Sequence, residues 1–204
     1  VTYSYNNAVD GSGAANSTTT NVATITAAPL NLTISKTYNN SASFTSANTY
    51  SLSGTTYGSD GLASAMSIAS GSATVSSVNA SASPYTSLST NSFVLSNTNY
   101  AINGSSTISA TINKATLTVT GTSTPNKVYD SGTSATISGG SLSGLASGDT
   151  SVTLTQAGSY SSPNAGTGIS MTMNNSLGGT TASGASASTN YNLTQPTVTG
   201  TITP

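Results

Sequence analysis

The 204-residue sequence contains no cysteine, histidine, arginine, glutamate or tryptophan, and its only charged side chains are three lysines and four aspartates. Each absence excludes something. Without cysteine there is no disulfide, no thiolate metal site and no thiol nucleophile. Without histidine there is no Ser–His pair, and without glutamate the candidate carboxylates reduce to Asp10, Asp60, Asp130 and Asp149. The inventory therefore reads as that of a non-enzyme with no cofactor. A formal charge of −1 with no basic stripe excludes binding of nucleic acid by phosphate neutralisation. No apolar run approaches the 18 residues of a membrane-spanning helix, and no basic-plus-apolar leader opens the chain, so it reads as an excised or mature piece of something longer.

What remains is polar but uncharged: 41 serines, 38 threonines and 20 asparagines. Disordered chains usually lack β-branched and aromatic residues, whereas here Val, Ile, Thr and Tyr recur in alternation, which favours strands. Leu30, Leu32 and Ile34 alternate with polar residues, as do Leu117 and Val119, Val152 and Leu154, Ile169 with Met171 and Met173, and Ile108 with Ala110 and Ile112. Gly, Asn, Ser and Pro clusters such as "SPNAG" and "NNSLGG" break the runs. Only "DGLASAMSIA" (60–69) has room for a short helix. The expected fold is all-β, with antiparallel, immunoglobulin-like β-sandwich modules arranged end to end.

That plural comes from an internal repeat. "APLNLTISKTYNN" (28–40) returns as "ATLTVTGTSTPNKVYDS" (115–131). Leu30 and Leu117 lie 87 positions apart, but Lys36-x-Tyr38 and Lys127-x-Tyr129 lie 91 apart, so about four residues are inserted around Pro125. "LSG" at 52–54 recurs at 142–144, and Asn99-Tyr100 recurs as Asn190-Tyr191. Each unit closes on a Thr/Ile strand, "STISATI" (106–112) or "TVTGTIT" (197–203). The expected division is therefore a tail of a preceding repeat, or a strand donated to a neighbour, over 1–27, then one module over 28–113 and another over 114–204. "TINKATLTV" (111–119) joins the two without Gly, Pro or Ser, which predicts a stiff junction at Asn113-Lys114.

The conspicuous polar positions are Lys36, Tyr38 and Asn39 in the first unit and Lys127, Tyr129 and Asp130 in the second. A position that takes an amide in one copy and a carboxylate in the other suits turn-forming hydrogen bonds and left-handed backbone, not a general acid or a strong metal ligand. These residues are expected to be structural fasteners. Tyr100 and Tyr191 are expected to occupy equivalent structural positions. Competing chemistry is weaker. Loop aspartates beside glycine, in "VDGSG" (9–13) and "SGDT" (147–150), are the kind of place where calcium settles, yet neither matches a calcium loop. A Lys–Asn isopeptide bond at Lys36, Lys114 or Lys127 needs a nearby acid and a depressed lysine pKa. Threonine arrays at 116–124 and 197–203 suit solvent-facing strands better than an ice-binding ladder. Tyr50, Tyr57, Tyr85 and Tyr160 are scattered among turns, unlike a sugar platform.

The stretch "ATLTVTGTSTPNKVYD…GGSLSGLASGD…GSYSSPNAGTGIS…NYNLTQPTVTGTITP" resembles the YDG-type repeat of large bacterial secreted adhesins of the filamentous-haemagglutinin kind. It departs from the usual Tyr-Asp-Gly by one residue, reading Tyr129-Asp130-Ser131-Gly132. The first unit, with Tyr38-Asn39-Asn40 at that place, is closer to the related MBG-type β domains. The resemblance implies an exported, all-β stalk module without catalytic residues. It is expected at the bacterial surface or outside the cell, holding a distal binding region and supporting adhesion or biofilm. Its expected partners are neighbouring repeats or other copies of itself, with surface glycans or matrix as a further option. A filament subunit joined by strand addition and a glycan- or matrix-binding module are the alternatives.

Overall fold

The computed structural model describes residues 25–204, and strands dominate it. In the first half, the opening strand Asn31–Thr37 buries Leu32, Ile34 and Lys36 and turns Thr33 and Thr37 to solvent, as its period-two pattern dictates. It pairs antiparallel with Thr49–Ser53 and parallel with the closing strand Ile108–Asn113. In the second half, Ala115–Thr120 buries Ala115, Leu117 and Val119 and pairs antiparallel with Ser141–Ser143 and parallel with Tyr191–Thr194. Lys127–Val128 then pairs parallel with the closing strand Val198–Thr203.

The registers of the two halves correspond. Ala28↔Tyr100 answers to Ala115↔Tyr191, Leu32↔Leu52 to Val119↔Leu142, and Lys36↔Ile112 to Lys127↔Ile202. The residues inserted around Pro125 fall where the second opening strand is interrupted, between Thr120 and Lys127. The repeated Leu-Ser-Gly also has a backbone reason. Gly54 and Gly144 both have positive φ (137° and 100°), and a Cβ on Gly144 would lie 3.0 Å from the Thr116 carbonyl oxygen. Each glycine lets the chain pass close over its own opening strand.

The expectation of wholly antiparallel sheets is corrected by these ladders. Opening and closing strands of each half run side by side in the same direction. A parallel pair places entry and exit at opposite ends, so the chain leaves each half at the end away from where it entered. Asn113 and Lys114 carry it directly from one closing strand to the next opening strand. The main apolar core is continuous through this point, from Leu30, Leu32, Ile34 and Phe44 to Leu117, Val152, Ala187 and Tyr191. A smaller cluster of Tyr160, Met171, Met173 and Ile202 lies farther into the second half. The short helix expected within 60–69 is a single 3₁₀ turn at Ala63–Ala65, and one unforeseen α-turn occurs at Ala187–Asn190. Nearly all of segment 1–27, read as a tail or a donated strand, lies outside the described residues. Among the described residues no helix is long and apolar enough to cross a membrane.

Candidate functional site

The two Lys-x-Tyr-Asx segments form the same loop. The Lys36 ammonium donates to Asn39 Oδ1 (2.8 Å) and to the carbonyls of Ser41 (2.6 Å) and Ser43 (2.9 Å). The Lys127 ammonium contacts Asp130 Oδ1 (2.8 Å) and donates to the carbonyls of Gly132 and Ser134 (3.1 Å each). All three acceptors recur 91 positions on. The lysine thus ties the loop that follows its own strand, and Asp130 Oδ1 also accepts from the Gly132 amide, closing a turn. Left-handed backbone sits one residue later than the asparagine and aspartate, at Asn40 (φ 58°) and Ser131 (φ 65°). Position 131 is where the usual Tyr-Asp-Gly motif would place glycine, the residue best suited to that φ.

Environment separates the loops. Lys36 is buried, its ammonium lies 5.3 Å from the Phe44 ring centre, and burial lowers its pKa. The aromatic ring it approaches is that of Phe44, while Tyr38 on the same face points elsewhere. Among the described residues no carboxylate is a partner of Lys36, which contacts one amide and two carbonyls. Asp130 is exposed, and its hydrogen bond with Lys127, then that from the Gly132 amide, hold its pKa below the ordinary carboxylate value.

Tyr38 reaches into the second half. Its hydroxyl donates to Asp149 Oδ2 (3.0 Å), which also accepts from the Tyr191 hydroxyl (2.6 Å). Asp149 Oδ1 accepts from the Ala182 amide (2.7 Å). The two tyrosine rings meet edge to face at 5.3 Å and 83°. Asp149 is 2% exposed and no ammonium lies among its partners, so three hydrogen-bond donors replace its lost hydration. Burial first, and then the carboxylate beside them, raise the pKa of both tyrosines above the ordinary value of 10. The Tyr191 hydroxyl in turn accepts from the Ala146 amide (2.8 Å), fixing the aspartate loop to the closing-side strand.

A second set of contacts flanks this joint. Asn190, fully buried, accepts from the Ala80 amide (2.7 Å) and donates to Asn79 Oδ1 (2.9 Å) and Thr181 Oγ1 (3.2 Å). Asn40 donates to the Ser147 carbonyl (3.2 Å). Neutral donors and one carboxylate thus join two parts of the chain that lie far apart in sequence. Both Asp149 oxygens are taken by donors, the opposite of what a cation requires. Among the described residues no group of three or more acidic, histidine or cysteine side chains converges, and Asp10 lies outside them.

Tyr100 is the counterpart of Tyr191 in its contacts as well as its register. It donates to Asp60 Oδ2 (3.0 Å) and accepts from the Tyr57 amide (2.8 Å). Tyr129, by contrast, is 50% exposed. Of the scattered tyrosines, Tyr50, Tyr85 and Tyr160 use their hydroxyls on the backbone at Ile68, Asn79 and Thr201, and only Tyr57 is well exposed. Sequence reasoning missed Asp149 and Asp60 as partners of the repeated tyrosines. Their signal was available, since each aspartate follows by three residues the amide that bonds the tyrosine, Ala146 or Tyr57.

Residues 113–199 match the YDG domain, which takes in the Lys127–Asp130 loop, Asp149 and Tyr191. No curated protein and no solved structure matches the chain.

Proposed function

We propose that the chain is a structural stalk segment of a bacterial extracellular adhesin or surface fibre, made of two end-to-end β-sandwich modules over 28–113 and 114–204 that hold a distal binding region away from the cell. The observation that carries this reading is the Asp149 joint: a buried, hydrogen-bonded lock between consecutive modules suits a load-transmitting rod and has no use in a catalytic cleft. The YDG match over the second module, the parallel opening and closing strands and the scarcity of charge support it. The lock also supports the expected stiffness at Asn113-Lys114, because Tyr38, Asn40 and Asn79 all hold residues of the second module.

Location is tested by labelling intact producing cells with antibody raised against the chain. Surface labelling, with loss of adhesion or biofilm on deletion of the gene, is the expected result. Labelling seen only after cell lysis would sink the reading. Shape is tested by small-angle scattering on dilute full-length chain, where one extended form of residues 28–204 is expected and a broad spread of intermodule angles argues against a stalk.

A further inference from the structure

The joint at Asp149 exists in full once, and its two halves exist again, separately. Where Tyr191, Asp149 and Ala146 build the receiving half, Tyr100, Asp60 and Tyr57 repeat its tyrosine contacts, while among the described residues the Ala182 amide on Asp149 has no counterpart at Asp60. The Tyr100 hydroxyl contacts the carboxylate and accepts the loop amide, and the Asp60 amide donates to the Tyr57 carbonyl as that of Asp149 does to Ala146. The donating half recurs too. The Tyr129 amide bonds the Thr203 carbonyl as that of Tyr38 bonds Asn113, and left-handed Ser131 follows as left-handed Asn40 does.

These second copies also differ from the first in burial. Asp149, Asn190 and Tyr38 are buried, whereas their counterparts Asp60, Asn99 and Tyr129 are exposed. Beside Asp60 and Tyr100 lies an open cleft of about 350 Å³, lined also by Ile25, Tyr57 and Asn99. Exposed apolar side chains gather at the same two places: Ile25, Tyr57 and Leu62 at the receiving end, Val128 and Tyr129 at the donating end. Among the described residues nothing supplies Asp60 with the second hydroxyl that Tyr38 gives Asp149.

We propose that a second copy of this chain docks head to tail, placing its Tyr129 hydroxyl on Asp60 beside Tyr100 and thereby rebuilding between chains the joint that Tyr38 makes within one. The inference rests on reading the two halves as one kind of module, and not on the adhesin assignment. Because the two surfaces differ, the contact is heterologous, and repetition of it yields open linear assemblies. Within the chain the covalent link makes the contact intramolecular, whereas association between free chains depends on their concentration.

The absence of cysteine makes a clean test possible. In the closed joint a Cβ on Gly148 would lie 3.4 Å from Asn40 Nδ2. The corresponding open-end residues are Ser59 and Ser131, both exposed. Full-length Ser59→Cys and Ser131→Cys proteins are mixed near millimolar concentration under mild oxidation. A disulfide-linked heterodimer should form at least about tenfold faster than either homodimer. The double variant should give a ladder of linear multimers. Tyr129→Phe in the Ser131→Cys partner, or Asp60→Asn in the other, should slow the heterodimer roughly tenfold, as loss of a hydrogen bond to a carboxylate requires. Circular dichroism checks that each variant is folded. Cross-linking no faster in the mixture overturns the proposal, including the case in which residues 1–24 of the same chain fill the cleft. A rate untouched by both substitutions overturns it as well. Either failure leaves the stalk reading to its own labelling and scattering tests.

Discussion

The frames around Asp149 and Asp60 share a tyrosine, a loop amide and a carboxylate, and differ in what else reaches the carboxylate: the Tyr38 hydroxyl and the Ala182 amide at Asp149. In both, a tyrosine on the closing-side strand is held between a loop amide and a carboxylate. Only at Asp149 does a further tyrosine arrive, and only there is the carboxylate buried. The comparison teaches that this carboxylate is buried by contacts from elsewhere in the chain, Tyr38 in the first half and Ala182 in the second. Four expectations break or sharpen that contrast.

The largest effect is expected at the buried carboxylate. Asp149→Ala leaves two tyrosine hydroxyls and the Ala182 amide without their acceptor in a closed site, which costs about 3–5 kcal/mol. Asp60→Ala removes a contact in an exposed cleft and should cost a small fraction of that. Urea unfolding of the two variants decides the matter, and equal losses would show that burial at the joint is not what distinguishes them.

Alkaline pH probes the same difference. In the folded chain Tyr38 and Tyr191 keep protons that the unfolded chain releases near pH 10, because their pKa values are raised. Stability is therefore fully present below pH 10 and falls as pH rises beyond it, by about 1.4 kcal/mol per pH unit for each retained proton. Lys36, with its pKa lowered from 10.5, acts in the opposite sense and offsets part of the fall. The slope of stability against pH should flatten in Tyr38→Phe. Measuring denaturant midpoints between pH 9 and 11.5 provides the check.

At neutral pH Tyr38→Phe and Tyr129→Phe should separate. Tyr38→Phe loses a hydrogen bond to a buried carboxylate and should cost about 2 kcal/mol, while Tyr129→Phe in dilute solution should stay within about 0.5 kcal/mol of the parent. Thermal unfolding at low protein concentration is the suitable measurement, since concentrated samples would engage the proposed docking.

The smallest effect concerns the two left-handed residues. Ser131→Gly relieves a φ of 65° at an exposed turn and should stabilise by about 0.5–1 kcal/mol. Asn40→Gly relieves a similar φ but gives up the bond to the Ser147 carbonyl, so its gain should be smaller or absent. A larger gain at Asn40 would mean that this bond adds nothing to the joint.

Much of the fold is legible in the chain. Alternation at Leu32, Ile34, Leu117 and Val119 marks the strands and their buried faces, and the shift from an 87- to a 91-residue offset locates the interruption near Pro125. The Lys-x-Tyr-Asx segments are legible as loop fasteners, since their hydrogen bonds stay within eight residues. The role of Tyr38 is not legible in the same way, because its acceptor lies 111 residues away. Nor is the parallel pairing of first and last strands. A period of two states which face is buried but not which strand lies alongside, and parallel and antiparallel neighbours satisfy the same alternation.

The sequence alone thus determined an all-β chain with two matching ladders, each followed by a lysine-tied loop, because alternation, turn chemistry and the repeat offset act over short stretches of chain. Tertiary structure alone decided which of two similar aspartate–tyrosine frames is closed. What separates Asp149 from Asp60 is the arrival of Tyr38 from the first half of the chain together with the Ala182 amide, contacts that desolvate one carboxylate and leave the other in water.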